Sequence, residues 1–538
     1  MKKTIISSVS MLALAMAAPA MGQSISTVSQ TGNANGVIVS QTGSGESDIT
    51  QDGDENDAGV TQTGTMQDST ITQTGETNGA TVTQAGMAQF SILAQDGNEN
   101  DATVSQEAEG NDSTLSQSGD ENTALINQAG ENEISSVTQL GTGNGVTVMQ
   151  AGENNNSTVN QNGTNLIATI GQSAIGNISL VTQSGDANEA DVKQRGNANN
   201  ANVTQSGNDS TSTVLQTAAS SRAITNQTAS DSSSLIEQTA NNQAARALQS
   251  GTNQTSTIRQ SASIGGGSIN TAEFGSLNTA AALVTQSNED NTSTIDQTGS
   301  LEFAGVVQSG QRNTSTVNQS GFANAVDLLQ GGDDNTSTIN QSGSVTNFPP
   351  FFAQTQIVQS GDRNSSDIVQ DGDWSFTGDR AFDNTVRSLQ SGDDNISTIN
   401  QSGIDPQVAL VQSGSGNISD IDQAGTDARA FVDQIGSGNS SMIAQLDPAG
   451  VNNFANIDQT GDDGLSEVTQ SGSTNSATLA QGGTNNESFM TQTGSNNTST
   501  VTQSGDSNSA TVMQGSVGNL STVTQSGMGN TATVSQGL

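Results

Sequence analysis

An all-β solenoid of stacked two-strand rungs, with 22 residues to the rung and roughly 22 rungs, is the fold this sequence predicts. Three observations lead there. A Gln recurs on an eleven-residue pitch, without a slip from Gln51 to Gln260. The residue two before each such Gln is Val, Ile, Leu or Met in 41 of 44 cases, the exceptions being Thr225, Ala247 and Ser388. The residue four before alternates between Ser and a small apolar residue, as in Ser69, Ala80, Ser91, Ala102, Ser113 and Ala124, which doubles the period.

Composition alone argues the other way. Only 30% of the 538 residues are apolar and 2% aromatic, too little for an ordinary globular core. A chain this polar would remain disordered unless something else offset the entropy of ordering. Periodicity supplies that something, because low-complexity disorder is biased in composition but does not hold phase.

Each element follows from the spacing within one phrase. Asn, Ser or Ala, Val or Ile, and Gln stand at alternating positions, and in a strand these share one face. Thr, Ser, Asn and Asp stand between them and face the other way. Helix is disfavoured by the Gly, Asn and Thr content. Segments such as Gly119-Asp-Glu-Asn122 are turn chemistry, where Gly permits positive φ and Asn bonds neighbouring backbone. Two unlike phrases then make one rung, and rungs stack about 4.7–4.8 Å apart, giving a rod roughly 100 Å long. A buried amide without a partner costs about 1–3 kcal/mol. A ladder of identical amides gives each one a neighbour above and below, as in stacked cross-β assemblies.

The same pattern sets the expected organisation of the chain. Residues 1–20 read as a secretory leader: Lys2 and Lys3, an apolar run over 5–18, and small residues at Ala18-Pro-Ala20, with cleavage after Gly22 as the other option. Solenoid occupies 21–260, 286–341, 359–370, 390–445 and 459–538. Between these lie a degraded repeat at 261–285, insertions at 342–358 and 371–389 that carry the aromatic residues Phe348, Phe351, Phe352, Trp374 and Phe376, and a short insertion at 446–458. The insertions read as loops added at turns, or more sharply as contact patches for a partner.

The repeat resembles the curlin repeat of curli, the secreted bacterial amyloid fibre. The match is Gln-x-Gly-x-x-Asn followed by Gln: Gln73, Asn78 and Gln84; Gln139, Asn144 and Gln150; Gln503, Asn508 and Gln514; and Gln525, Asn530 and Gln536. These are the candidate self-assembly ladder, and Val82, Val148, Val501, Val512, Val523 and Val534 are the candidate core row. The resemblance implies export, passage through an outer-membrane curlin pore of a Gram-negative bacterium, a curlin nucleator as a partner, and polymerisation into adhesive biofilm fibres on host or abiotic surfaces. This chain differs in being far longer than the familiar subunits and in its four interruptions.

The remaining chemistry is sparse. There is no His, Cys or Tyr, and Ser and Thr have no evident base to activate them, so an enzyme is not expected. Acidic pairs such as Asp393-Asp394 and Asp462-Asp463 read as solvated turns, and no cofactor or metal is expected. With 53 acidic residues against 12 basic ones and a net charge of −41, the chain repels nucleic acid. Self-association through uncapped strand edges is the expected function. The alternatives are a monomeric β-solenoid surface adhesin working through the aromatic insertions, and an ice-binding solenoid using outward Thr-x-Thr rows such as Thr70/Thr72, Thr81/Thr83, Thr500/Thr502 and Thr522/Thr524.

Overall fold

A computed structural model describes residues 12–14, 24–261, 281–344, 353–371 and 385–537. Every regular element among them is a β-strand, and the strands make a parallel solenoid of about 21 turns of roughly 22 residues. The leader lies outside the described residues except for Leu12–Leu14, whose backbone pairs in parallel with Val37–Val39. The Gly265-Gly-Gly267 stretch lies outside them too.

The chain divides into two units, Met1–Asn253 and Gln254–Leu538, each built in the same way. In the first, Ile134–Thr142 pairs in parallel with Asp112–Asp120 on one side and Asn156–Thr164 on the other. Gly145–Glu153 pairs likewise with Thr123–Gln128 and Ile167–Ile175. Successive eleven-residue phrases therefore fall into two alternating columns, and each residue stacks on its equivalent 22 residues away. In the second unit Thr498–Ser504 sits between Ser476–Thr484 and Leu520–Ser526 in the same manner.

The expected facing holds along the interior rungs. Ile71, Leu93 and Leu115 fill one column and Val82, Val104 and Ile126 the other, all without solvent exposure. Burying each such side chain contributes about 1.5–3 kcal/mol. Over 80–157 the Ser/Ala alternation resolves into two rows, and further along the columns exchange residue types, as where Ser179 meets Ala201 and Ala190 meets Ser212. Ser91, Ser113, Ser135 and Ser157 stack in one column; Ala80, Ala102, Ala124 and Val146 stack in the other. Some serines bond along their row, as Ser113 Oγ does to Ser91 Oγ at 3.2 Å.

The turns need more than a permissive glycine. The Gly two after each Gln commonly has positive φ, as at Gly119 (φ 114°) and Gly141 (φ 113°). A Cβ on Gly141 would also land on the carbonyl oxygen of Gly163 in the next rung, so close stacking of backbone excludes any side chain there. The residue four after the Gln takes the left-handed region as well, and there it is seldom Gly: Glu121 (φ 58°), Asn165 (φ 54°) and Asp394 (φ 60°) are examples. For non-Gly residues that conformation costs on the order of 1–2 kcal/mol.

Two glycines contrast a constrained position with an open one. Gly141→Ala combines positive φ with a backbone collision and should destabilise the surrounding rungs by about 2 kcal/mol or more. Gly171 has no atom within 4 Å of where its Cβ would stand, and Gly171→Ala should be neutral or stabilising by up to about 1 kcal/mol. Chemical denaturation with hydrogen exchange resolved over 134–172 measures both.

Candidate assembly ladder

The side chains singled out by the repeat form amide ladders in both columns, with the asparagine rows interrupted at places such as Leu166 and Ser210. Gln117 Nε2 donates to Gln139 Oε1 at 2.8 Å, and Gln139 Nε2 donates to Gln161 Oε1 at 3.0 Å. Gln139 Nε2 also donates to the backbone carbonyls of Thr123 (3.0 Å) and Asn144 (2.9 Å), tying the turn below to its own. The same bonds run from Gln73 to Gln95, Gln84 to Gln106, Gln150 to Gln172, Gln503 to Gln525 and Gln514 to Gln536, all at 2.8–2.9 Å.

The asparagine ladder runs in the opposite sense. Asn144 Nδ2 donates back to Asn122 Oδ1 (3.0 Å) and forward to the Gly163 carbonyl (3.1 Å), while its backbone N–H also reaches Asn122 Oδ1 (3.1 Å). Asn78 bonds back to Asn56 and Asn508 to Asn486, each at 3.0 Å. The sequence places the Asn both in its own turn and in the inward ladder, and it serves both: Asn78 Nδ2 bonds Thr74 O in its turn at 3.3 Å and Gly97 O of the next rung at 2.7 Å, while Asn291 Nδ2 reaches its own turn at 2.7 Å.

Gln73, Asn78, Gln84, Gln139, Asn144, Gln150, Gln503, Asn508 and Gln514 are at most 1% exposed, as are Val82, Val148, Val501 and Val512. Gln525 and Val523 are still buried, at 6%. The last phrase departs from the inward expectation: Asn530 is exposed, and Val534 and Gln536 are half-buried. The reason is local, since Thr531–Gln536 is paired on one side only, with Ser509–Gln514.

Phe348, Phe351, Phe352, Trp374 and Phe376 lie outside the described residues. Their flanks are informative nonetheless. Gln341 Nε2 bonds Gln370 Oε1, so the insertions after these two glutamines leave one column on successive rungs. Gln260 and Gln445, which precede the other two interruptions, belong to that same column of the second unit, joined by the unbroken run through Gln297, Gln319, Gln401 and Gln423.

Two acidic residues in the ladder escaped the sequence reading. Glu133 and Glu302 occupy Asn positions and are 0% exposed. Burial pushes the Glu133 carboxyl up to about 7, against the pull of Asn155, whose Nδ2 donates to Oε1 at 3.1 Å. Burial likewise pushes Glu302 up to about 7, opposed by the Gly299 N–H (2.9 Å to Oε2) and by Asn324, with the charge of Asp296 adding to the rise. The signal available was their place, five residues after Gln128 and Gln297. Also missed were two exposed bidentate pairs between stacked turns, Arg312 with Asp334 and Arg363 with Asp394, at 2.7–2.9 Å.

Outward threonines stack locally, Thr500 on Thr522 and Thr502 on Thr524, but make no continuous grid among the described residues. Thr70 stacks between Asp48 and Ile92, and Thr81 between Gly59 and Thr103. Among the described residues no three acidic side chains converge to hold a metal, and no helix is long and apolar enough to cross a membrane.

The curlin associated repeat matches nine segments, at 46–75, 76–107, 108–141, 185–217, 310–343, 425–461, 461–494, 472–505 and 505–537, together just over half of the chain. The chain belongs to the curlin-repeat family. The curlin family is structural rather than enzymatic and is associated with extracellular bacterial fibres. No curated protein matches the chain as a relative.

Breaking one curlin ladder bond has a defined expectation. Gln139→Leu leaves Gln161 Oε1 without its donor and removes one acceptor from Gln117 Nε2. Each buried group so orphaned costs about 1–3 kcal/mol. Outward Thr138→Ala should stay within about 0.5 kcal/mol. Urea denaturation of the full chain compares the two.

Proposed function

We propose that this protein is an exported structural subunit that adds to further copies of itself, rung on rung, to build adhesive extracellular fibres. One observation carries the reading: rung pairing is indifferent to the length of chain that connects the rungs. Gln341 meets Gln370 across 29 residues, Gln370 meets Gln401 across 31, and Gln260 meets Gln297 across 37, with the same Nε2–Oε1 bond at 2.6–2.9 Å as across the standard 22. In these places the covalent connection does not set the geometry of the ladder. A rung supplied by a second molecule would then meet the same donors and acceptors as one supplied by the same chain, which is β-addition at a strand edge. Membership of the curlin-repeat family supports the same role, with a nucleator and a secretion pore as the expected partners. The acidic turns would slow premature association, less so at high salt.

A more specific adhesin role is favoured by the column that launches the insertions. Gln341 and Gln370, which meet on successive rungs, directly precede the two insertions whose sequences carry Phe348, Phe351, Phe352, Trp374 and Phe376, the residues this role would use.

Incubated mature protein should form fibres whose X-ray diffraction shows a spacing of about 4.7–4.8 Å along the fibre axis. A chain that stays monomeric on size-exclusion chromatography, without that reflection, would overturn the assembly reading. Deleting 342–358 and 371–389 should abolish surface adhesion and leave fibre formation intact. Loss of both would show that the insertions are needed for the stack itself.

A further inference from the structure

Glu133 interrupts an asparagine row whose neighbours show what its position requires. Asn111 stands below it and Asn155 above. Each of those donates Nδ2–H to a carbonyl of the next rung, Asn111 to Gly130 (2.9 Å) and Asn155 to Ala174 (2.9 Å). The equivalent acceptor for Glu133 is the Gly152 carbonyl. It receives a backbone bond from Glu131 N–H (2.9 Å), but no described side-chain donor reaches it. A Cβ placed on Gly130 would collide with both Glu133 Oε1 and the Gly152 oxygen, so the carboxyl and that carbonyl flank the same small space. Oε2 is buried without a hydrogen-bond partner. Three acceptor atoms thus share a buried corner where Asn111 and Asn155 in the same row put a donor. A neutral carboxyl repairs this: its O–H donates to the Gly152 carbonyl, as the amide does elsewhere.

We propose that Glu133 is a proton-operated joint, closing its rung when the carboxyl is neutral and loosening it when the carboxylate forms. This goes beyond the assembly reading and does not rest on it. The surroundings favour the proton. The turn below presents Glu107, Glu109 and Asp112, the same turn Glu131 and the turn above Glu153, and residues 101–160 contain no Lys or Arg. Burial, acting against the Asn155 hydrogen bonds, holds the folded carboxyl near 7 rather than its ordinary 4.5. The stabilisation is therefore fully present below about pH 4.5 and is lost as pH rises through about 7.

Hydrogen exchange on the full mature chain, expressed as protection over the intrinsic rate, tests the joint. Protection over 129–156 should fall about tenfold or more between pH 5.5 and pH 8. Protection over 73–100, whose row holds Asn78 and Asn100, should hold steady. Glu133→Gln and Glu133→Asn should both be protected at pH 8 and show no such fall. Gln already fills this position at Gln67 and Gln89 of the same column, so the Gln variant has precedent for folding. A wild-type chain with no local fall, or a Glu133→Gln chain that keeps it, overturns the proposal.

Discussion

A buried amide must find both a donor and an acceptor, and in this molecule the repeat brings the same amide, one rung away, to meet it. That requirement governs the interior. Gln and Asn are poor core residues by any transfer scale, yet Gln139 and Asn144 are fully buried because Gln117, Gln161 and Asn122 complete their bonds. The thin Val and Ile row then keeps water away from the ladder, and the ladder holds that row in register. Neither works for a rung on its own, so stability belongs to neighbours rather than to any single phrase.

The same requirement explains what the stack tolerates. Outward positions vary freely, and Met149, Gly171 and Lys193 succeed one another on one row. Chain can be inserted between rungs, as beyond Gln341 and Gln370, provided the next glutamine returns to register. The two-after glycine is less free, because the carbonyl of the next rung occupies the space of its side chain.

Much of this was legible in the sequence, for a definite reason. A repeat whose side-chain spacing is two and whose phase is eleven states which residues face inward, and Gln73, Asn78 and Val82 lie where the pattern puts them. The Ser and Ala alternation separates the two columns over 80–157, although it slips where Ser179 meets Ala201. Features carried by one rung against the next were harder to see. The direction in which Asn78 bonds is not written in its own turn, and neither is the carbonyl that excludes a side chain at Gly141. Glu133 was visible as a departure from the repeat, but its burial could be read only once its position was recognised as the inward one.

The opposed running of the two ladders has a consequence of its own. Along its own row a glutamine amide such as Gln139 donates toward higher residue numbers, and an asparagine amide such as Asn144 toward lower ones. One face of any rung therefore offers glutamine N–H and asparagine oxygen, and the other face offers the reverse. Faces brought together in the same sense complement each other atom for atom. Faces brought together inverted set donor against donor and acceptor against acceptor. The rungs thus carry an arrow written in side chains as well as in backbone, and a stack of them has a front and a back.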